Sequence, residues 1–232
     1  MSDDGPGSGS EGDDADPHAD GPLVTAGAPA AATEVAVVLL HGRGATAEGV
    51  VRLVEPLYRH GVTFYAPGAD RSRWYPYSFL LPTERNEPHL SSALRRVERV
   101  LERVTGVVPA ERVVVGGFSQ GACLAAEFAA RRPRRYGGVF ALSGGLVGPA
   151  DRLAERAYDG SLDGTPVFLG CGDADEHVPV ERVRRTADVL RSLDGDVTER
   201  VYPGVGHEVI DDEFEFLGAL LDDLLGSGRD AR

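Results

Sequence analysis

The chain has 232 residues, 42% hydrophobic and 26% charged, a composition that suits one soluble domain with a core of its own. No apolar run approaches the roughly 20 residues of a membrane-spanning helix, and the start lacks the basic and apolar regions of a secretory signal, so a cytoplasmic location is the default expectation. The formal net charge of −13 excludes the clustered positive surface that binding to nucleic acid requires and disfavours anionic membrane surfaces.

All 24 cations are Arg. A Lys-free, acid-rich surface fits either a protein kept hydrated at high salt or simple codon bias; unfolding measured across KCl concentration separates the two. Cys123 and Cys171 are too sparse for a disulfide framework and read as buried free thiols, with a redox role as the alternative.

Residues 1–32 are rich in Gly, Ser, Asp, Pro and Ala and predict a disordered acidic tail. Residues 1–22 alone hold seven acids and no Lys or Arg. Within this tail, Leu23-Val24-Thr25 is a candidate short edge strand. The folded domain is expected over residues 33–226, followed by a disordered end at 227–232. Val35 to Leu40 is a continuous apolar run, as expected of a strand covered on both faces. Glu48 to His60 has apolar residues at helical spacing and stops before Gly61, with His60 as a capping residue. Val62 to Ala66 is a second strand. Leu90, Leu94, Val97, Leu101 and Val104 mark an amphipathic helix ending near Gly106. Arg112 to Val115 is a strand and Gln120 to Arg131 a helix of small residues. Strands follow at Gly138–Leu142 and Pro166–Leu169, then a helix at Val180–Leu193, a strand at Val197–Tyr202 and a closing helix at Asp211–Leu225. Strand–helix alternation of this kind predicts an α/β fold: a mainly parallel central sheet with helices on both faces and no large cap domain. Ligands bind at the carboxyl ends of the strands in such sheets, so functional residues should lie just after strands.

Gly117-Phe118-Ser119-Gln120-Gly121 has the G-x-S-x-G form, with Val113-Val114-Val115 before it and a helical stretch behind. Strand, sharp turn and helix together describe a nucleophile elbow that strains the serine and lifts its Oγ above the sheet. A serine needs a base, and the base needs an orienting acid. Both should follow the serine in the chain. Two loops after strands supply them: Gly172-Asp173-Ala174-Asp175-Glu176-His177-Val178-Pro179, and Gly204-Val205-Gly206-His207-Glu208. His207 is the expected base, with His177 as its rival; Asp175 is the expected acid, with Asp173 as its rival. Acyl transfer also needs N–H donors for the tetrahedral oxyanion. The backbone N–H of Gln120, just after the serine, and that of Arg43, in the loop His41-Gly42-Arg43-Gly44, are the candidates. The run Trp74-Tyr75-Pro76-Tyr77-Ser78-Phe79 is rich in aromatics, and Trp74 and Phe79 are candidates to line the acyl site; the alternative is that they pack the loop onto the sheet.

Leu40-His41-Gly42-Arg43-Gly44, the Ser119 elbow, Gly172-x-x-Asp175-x-x-Val178-Pro179 and Gly206-His207-Glu208 together resemble the phospholipase/carboxylesterase family of the α/β-hydrolase superfamily. That family includes acyl-protein thioesterases and small bacterial carboxylesterases. The resemblance runs from about Val35 to Leu225. It implies a compact hydrolase with a Ser119–Asp175–His207 triad, no metal and no organic cofactor. It also implies a small-molecule ester or thioester substrate with a short to medium acyl chain, lysophospholipids and acyl-proteins being the variants, and a monomer or homodimer. Arg43 stands where the thioesterase members usually carry an apolar residue, and the Trp74–Pro82 segment is similar to the bacterial carboxylesterase branch. Three other readings use the same pattern. Dienelactone hydrolases resemble the fold but use Cys in place of Ser119, a peptidase would normally need a larger specificity domain, and a non-catalytic binding protein would have no use for a strained elbow.

Overall fold

The computed structural model describes residues 16–153 and 158–227. Seven strands form one sheet in the order β1-β3-β2-β4-β5-β6-β7. Strand β1 (Leu23–Gly27) runs antiparallel to β3 (Val62–Pro67), with Leu23 opposite Pro67. The other strands are β2 (Val35–Leu40), β4 (Val113–Phe118), β5 (Gly138–Leu142), β6 (Pro166–Gly172) and β7 (Asp196–Tyr202). Every pair among β3, β2, β4, β5, β6 and β7 is parallel. This is the α/β-hydrolase architecture that the motifs imply.

All six residues of β2 are buried because both faces of the sheet are covered. Val35, Val37 and Leu39 join a core with α1 (Ala47–Leu53) and α6 (Asp211–Ser227). Ala36, Val38 and Leu40 face the opposite core, built with α2 (His89–Thr105), α3 (Gln120–Arg131) and α5 (Val180–Ser192). A short α4 (Ala150–Leu153) completes the α-helices among the described residues. No helix among the described residues is long and apolar enough to cross a membrane.

Two expectations need correction. The helix expected over 48–60 ends at Leu53 and gives way to a single 3-10 turn at Glu55–Leu57. Pro56 lacks the N–H that a continuing helix would use and its ring crowds the preceding turn, so His60 caps no helix. The tail expected to be disordered over 1–32 is structured from Asp16 onward: β1 adds to the sheet, and His18 is completely buried. The His18 N–H donates to Ser92 Oγ at 2.9 Å, and Asp16 pairs with Arg99 at 3.0 Å. Residues 1–15 and 228–232, also expected to be disordered, lie outside the described residues.

Candidate active site

The ends of β2, β4, β6 and β7 bring four loops together on the carboxyl edge of the sheet. Ser119 lies between β4 and α3 with φ 57° and ψ −120°, a strained conformation for a residue with a Cβ. Its N–H is held by Leu142 O at 2.9 Å, at the end of β5. The turn closes because its flanks are glycines. A Cβ on Gly117 would stand 2.3 Å from Leu40 O, and one on Gly121 only 2.1 Å from the same oxygen. The elbow therefore presses directly on the end of β2, and the loop after β2 on the serine: a Cβ on Gly42 would be 3.3 Å from Ser119 Cβ.

His207 comes from the loop after β7. Its Nε2 is 2.8 Å from Ser119 Oγ and its Nδ1 is 2.7 Å from Asp175 Oδ2. Asp175 is in the loop after β6, and its side chain is fully buried. Its Oδ1 accepts the backbone N–H groups of His177 (2.8 Å) and Val178 (3.0 Å). Burial alone would raise this carboxyl, but the His207 hydrogen bond and the two amides outweigh it and hold Asp175 below its ordinary value. An ionised carboxylate only accepts, so Nδ1 of His207 carries the ring proton. In the neutral ring Nε2 is then placed to accept from the Ser119 hydroxyl.

The rival residues have other tasks. Asp173 accepts the Gly204 N–H at 2.6 Å, which ties the Asp175 loop to the His207 loop. The Asp173 N–H bonds Tyr202 O and the Ala174 N–H bonds Val205 O, both at 3.0 Å. His177 offers Asp175 only its backbone N–H, and its ring stands edge-on to His207 with centroids 4.8 Å apart.

Arg43, in the loop after β2, and Gln120, at the start of α3, flank Ser119. Gln120 is the first residue of α3, so its N–H has no carbonyl one turn back within the helix. The side chains of both residues do something the sequence does not announce. Arg43 donates to three successive carbonyls, Tyr75 O (3.0 Å), Pro76 O (2.9 Å) and Tyr77 O (2.9 Å). Gln120 accepts the Trp74 N–H and donates to Tyr75 O, both at 2.9 Å. The aromatic segment is thus clamped over the site by the same two residues.

Of the two aromatics expected at the acyl site, Phe79 lines the cleft and Trp74 does not. Trp74 is fully buried beneath the loop after β2; its indole donates to His41 O at 2.9 Å and packs on the His41 ring at 5.0 Å. It packs the segment onto the sheet. The cleft around Ser119 and His207 has a volume of about 370 Å³ and is also lined by Arg43, Tyr75, Cys123, His177 and Val178. The sequence does not mark Tyr75, Cys123, His177 or Val178 individually as cleft residues. Val178 and His177 sit beside Asp175 in its motif and Tyr75 lies in the aromatic run, but nothing marks Cys123. Burial pushes the Cys123 thiol up to about 11; burial and the Asp175 charge push that of Cys171 up to about 12. Both stay protonated and free, which speaks against a redox role. Among the described residues, no group of three or more His, Cys, Asp or Glu could hold a metal ion.

Residues 23–224 match the sequence profile of the phospholipase/carboxylesterase family. The crystal structure of a phospholipase/carboxylesterase from Dyadobacter fermentans is 39% identical, with a TM-score of 0.80; the match covers 87% of this chain and 96% of that one. Acyl-protein thioesterase 1 of Saccharomyces cerevisiae is 28% identical over 217 residues, covering 82% of this chain and 93% of that protein. The match to acyl-protein thioesterase 1 of Gibberella zeae, 35% identical over 120 residues, spans about half of each protein: 50% of this chain and 49% of the relative.

Proposed function

The chain belongs to the phospholipase/carboxylesterase family of ester hydrolases, and on that premise we propose that it is a serine esterase, with Ser119 as nucleophile, His207 as base and Asp175 as orienting acid. One observation carries the reading: a single imidazole bridges a strained serine and a buried carboxylate at 2.8 and 2.7 Å, inside a cleft.

The reaction has two halves. As Ser119 Oγ attacks the ester carbonyl, its proton passes to His207 Nε2. Asp175 stabilises the resulting imidazolium through Nδ1–H. The carbonyl oxygen takes the negative charge and is met by the backbone N–H groups of Gln120 and Arg43, the former at the positive end of α3. The tetrahedral intermediate collapses, the alcohol leaves with the His207 proton, and the acyl group stays on Ser119. Water then attacks, giving its proton to His207, and the acid departs as Ser119 Oγ recovers that proton. The substrates are esters or thioesters of short to medium acyl chains. The relatives named acyl-protein thioesterase bring thioesters into the same proposal, and lysophospholipids are the other variant.

Initial rates on p-nitrophenyl esters of increasing acyl length test this for the wild type and Ser119→Ala. Hydrolysis that vanishes in the variant supports it. Hydrolysis that survives the substitution moves the chemistry elsewhere, and no hydrolysis by the wild type favours a binding protein on a hydrolase scaffold.

A further inference from the structure

The peptide that presents the Arg43 N–H joins Gly42 to Arg43, in a stretch with little stiffness of its own. Gly42 has no Cβ to restrict its ψ, and Gly44 follows with φ 78°. An oxyanion donor is useful only if it is already aimed when the charge develops. The Arg43 N–H donates to no backbone carbonyl among the described residues. The peptide is held by its oxygen instead. Gly42 O accepts the Ala45 N–H at 3.1 Å, which closes a turn, and meets His41 Nδ1 at 2.8 Å. This peptide is trans, so its C=O and N–H point in opposite directions. Whatever fixes Gly42 O therefore fixes the direction of the Arg43 N–H.

His41 is 1% exposed, and its partners settle where its proton lies. The Ala69 N–H can only donate, and it meets Nε2 at 3.1 Å; Gly42 O can only accept. A neutral imidazole has one donor and one acceptor, so Nδ1 carries the hydrogen and gives it to Gly42 O. Burial holds the ring below its ordinary 6.5, against the Gly42 bond and the Glu48 charge, and it is neutral at pH 7. Its orientation is fixed from other sides too. The Trp74 ring packs on it at 5.0 Å, and the Trp74 indole donates to His41 O at 2.9 Å. A chain of donors thus runs from the Ala69 N–H through the imidazole to the Gly42–Arg43 peptide, each bond polarising the next.

We propose that His41 is a positioning residue for catalysis: its Nδ1–H holds the Gly42–Arg43 peptide so that the Arg43 N–H stays aimed at the oxyanion. The proposal deepens the serine-esterase reading and rests on it, with the Arg43 N–H as one of the two oxyanion donors. It places the effect of His41 in the transition state, where the oxyanion exists, and not in the binding of the ground-state ester.

Asparagine and glutamine separate the two ring nitrogens, because the Asn amide reaches about as far as Nδ1 and the Gln amide about as far as Nε2. His41→Asn keeps a donor for Gly42 O and gives up the Ala69 bond. His41→Gln keeps an acceptor for Ala69 and gives up the donor. On p-nitrophenyl esters His41→Gln should lower kcat and kcat/KM alike, by about tenfold, a part of the roughly 10²–10³ that loss of a whole oxyanion donor costs. Inhibition by an alkyl trifluoromethyl ketone, whose adduct with Ser119 carries an oxyanion, should weaken by the same factor. His41→Asn should recover most of both losses. Equal losses in the two variants, a larger loss in His41→Asn, or a raised KM with kcat unchanged would show a packing role only and overturn the proposal. If neither variant folds, nitrogen NMR of the wild type decides. The His41 ring should be the Nδ1–H tautomer, and that proton should move downfield when the trifluoromethyl ketone adduct forms. An Nε2–H tautomer, or an Nδ1–H signal that the adduct leaves in place, would overturn the proposal. The underlying esterase reading fails on a different result, the absence of Ser119-dependent hydrolysis by the wild type.

Discussion

Replacing Glu213 by Gln should change how stability depends on pH while leaving the fold intact. Glu213 lies in the first turn of α6, just past the loop that carries His207, and is 1% exposed. Its carboxylate accepts the Ile210 N–H at 3.1 Å, while its own N–H bonds Ile210 O, which ties the helix start to that loop. Its other oxygen sits against Gly170, where an added Cβ would be only 2.0 Å away. Burial pushes the carboxyl from its ordinary 4.5 up to about 7, against the favourable Ile210 hydrogen bond. Between those two values the folded protein holds a proton that the unfolded chain has lost. The protonated contribution is therefore complete below about pH 4.5 and drains away as the pH rises through 7. At about 1.36 kcal/mol per pH unit, that interval corresponds to about 3 kcal/mol. Glutamine keeps the acceptor and the volume but not the titration. Urea unfolding of both proteins from pH 5 to 8.5 should show Glu213→Gln gaining most of that about 3 kcal/mol on the wild type as the pH rises. Two curves that stay parallel across the range would refute the reasoning.

Deleting residues 1–22 removes three hydrogen bonds made by His18, to Ser92, Trp74 and the Asp70 N–H, and at about 1 kcal/mol each should lower Tm by roughly 6–12 °C. Burial holds the His18 imidazole below 6.5. Its contribution is complete above that pH and lost as the pH falls, so calorimetry should show the deleted and full-length proteins converging in acid. Gly121→Ala puts a Cβ 2.1 Å from a main-chain oxygen and should abolish soluble, active protein, whereas Gly226→Ala, with nothing within 4 Å, should be tolerated in expression and melting assays. Arg43→Leu keeps the main-chain N–H but loses the clamp on three carbonyls. It should lower kcat/KM about tenfold and speed hydrogen exchange at the Tyr77 N–H, which is bonded to Asn86.

Much of this site is legible in the sequence because it is local. The elbow needs a strand, two glycines and a serine in one stretch, and steric contact with Leu40 O explains the glycines. The Asp175 loop follows an apolar run of strand length, and the His207 loop follows the alternation of Val197 to Tyr202. What the sequence hides is directional or long-range. Aromatic content identifies the Trp74–Phe79 segment but not which rings face inward, so Trp74 and Phe79 look alike until their surroundings are known. The partners of the Arg43 and Gln120 side chains are 32 and 45 residues away. Residues 16–32 have the composition of a solvated tail, yet one buried histidine and an edge strand dock them. The helix expected to reach His60 followed an apolar period that continues past Pro56, where the missing N–H decides the matter.

The central claim is tested most directly by treating the protein with a fluorophosphonate and mapping the adduct by peptide mass spectrometry while following ester hydrolysis. The account predicts one adduct per chain, on Ser119, with hydrolysis lost in proportion to labelling, and no adduct on the urea-unfolded chain. Hydrolysis that persists with Ser119 fully modified, or an adduct confined to another residue, would contradict it.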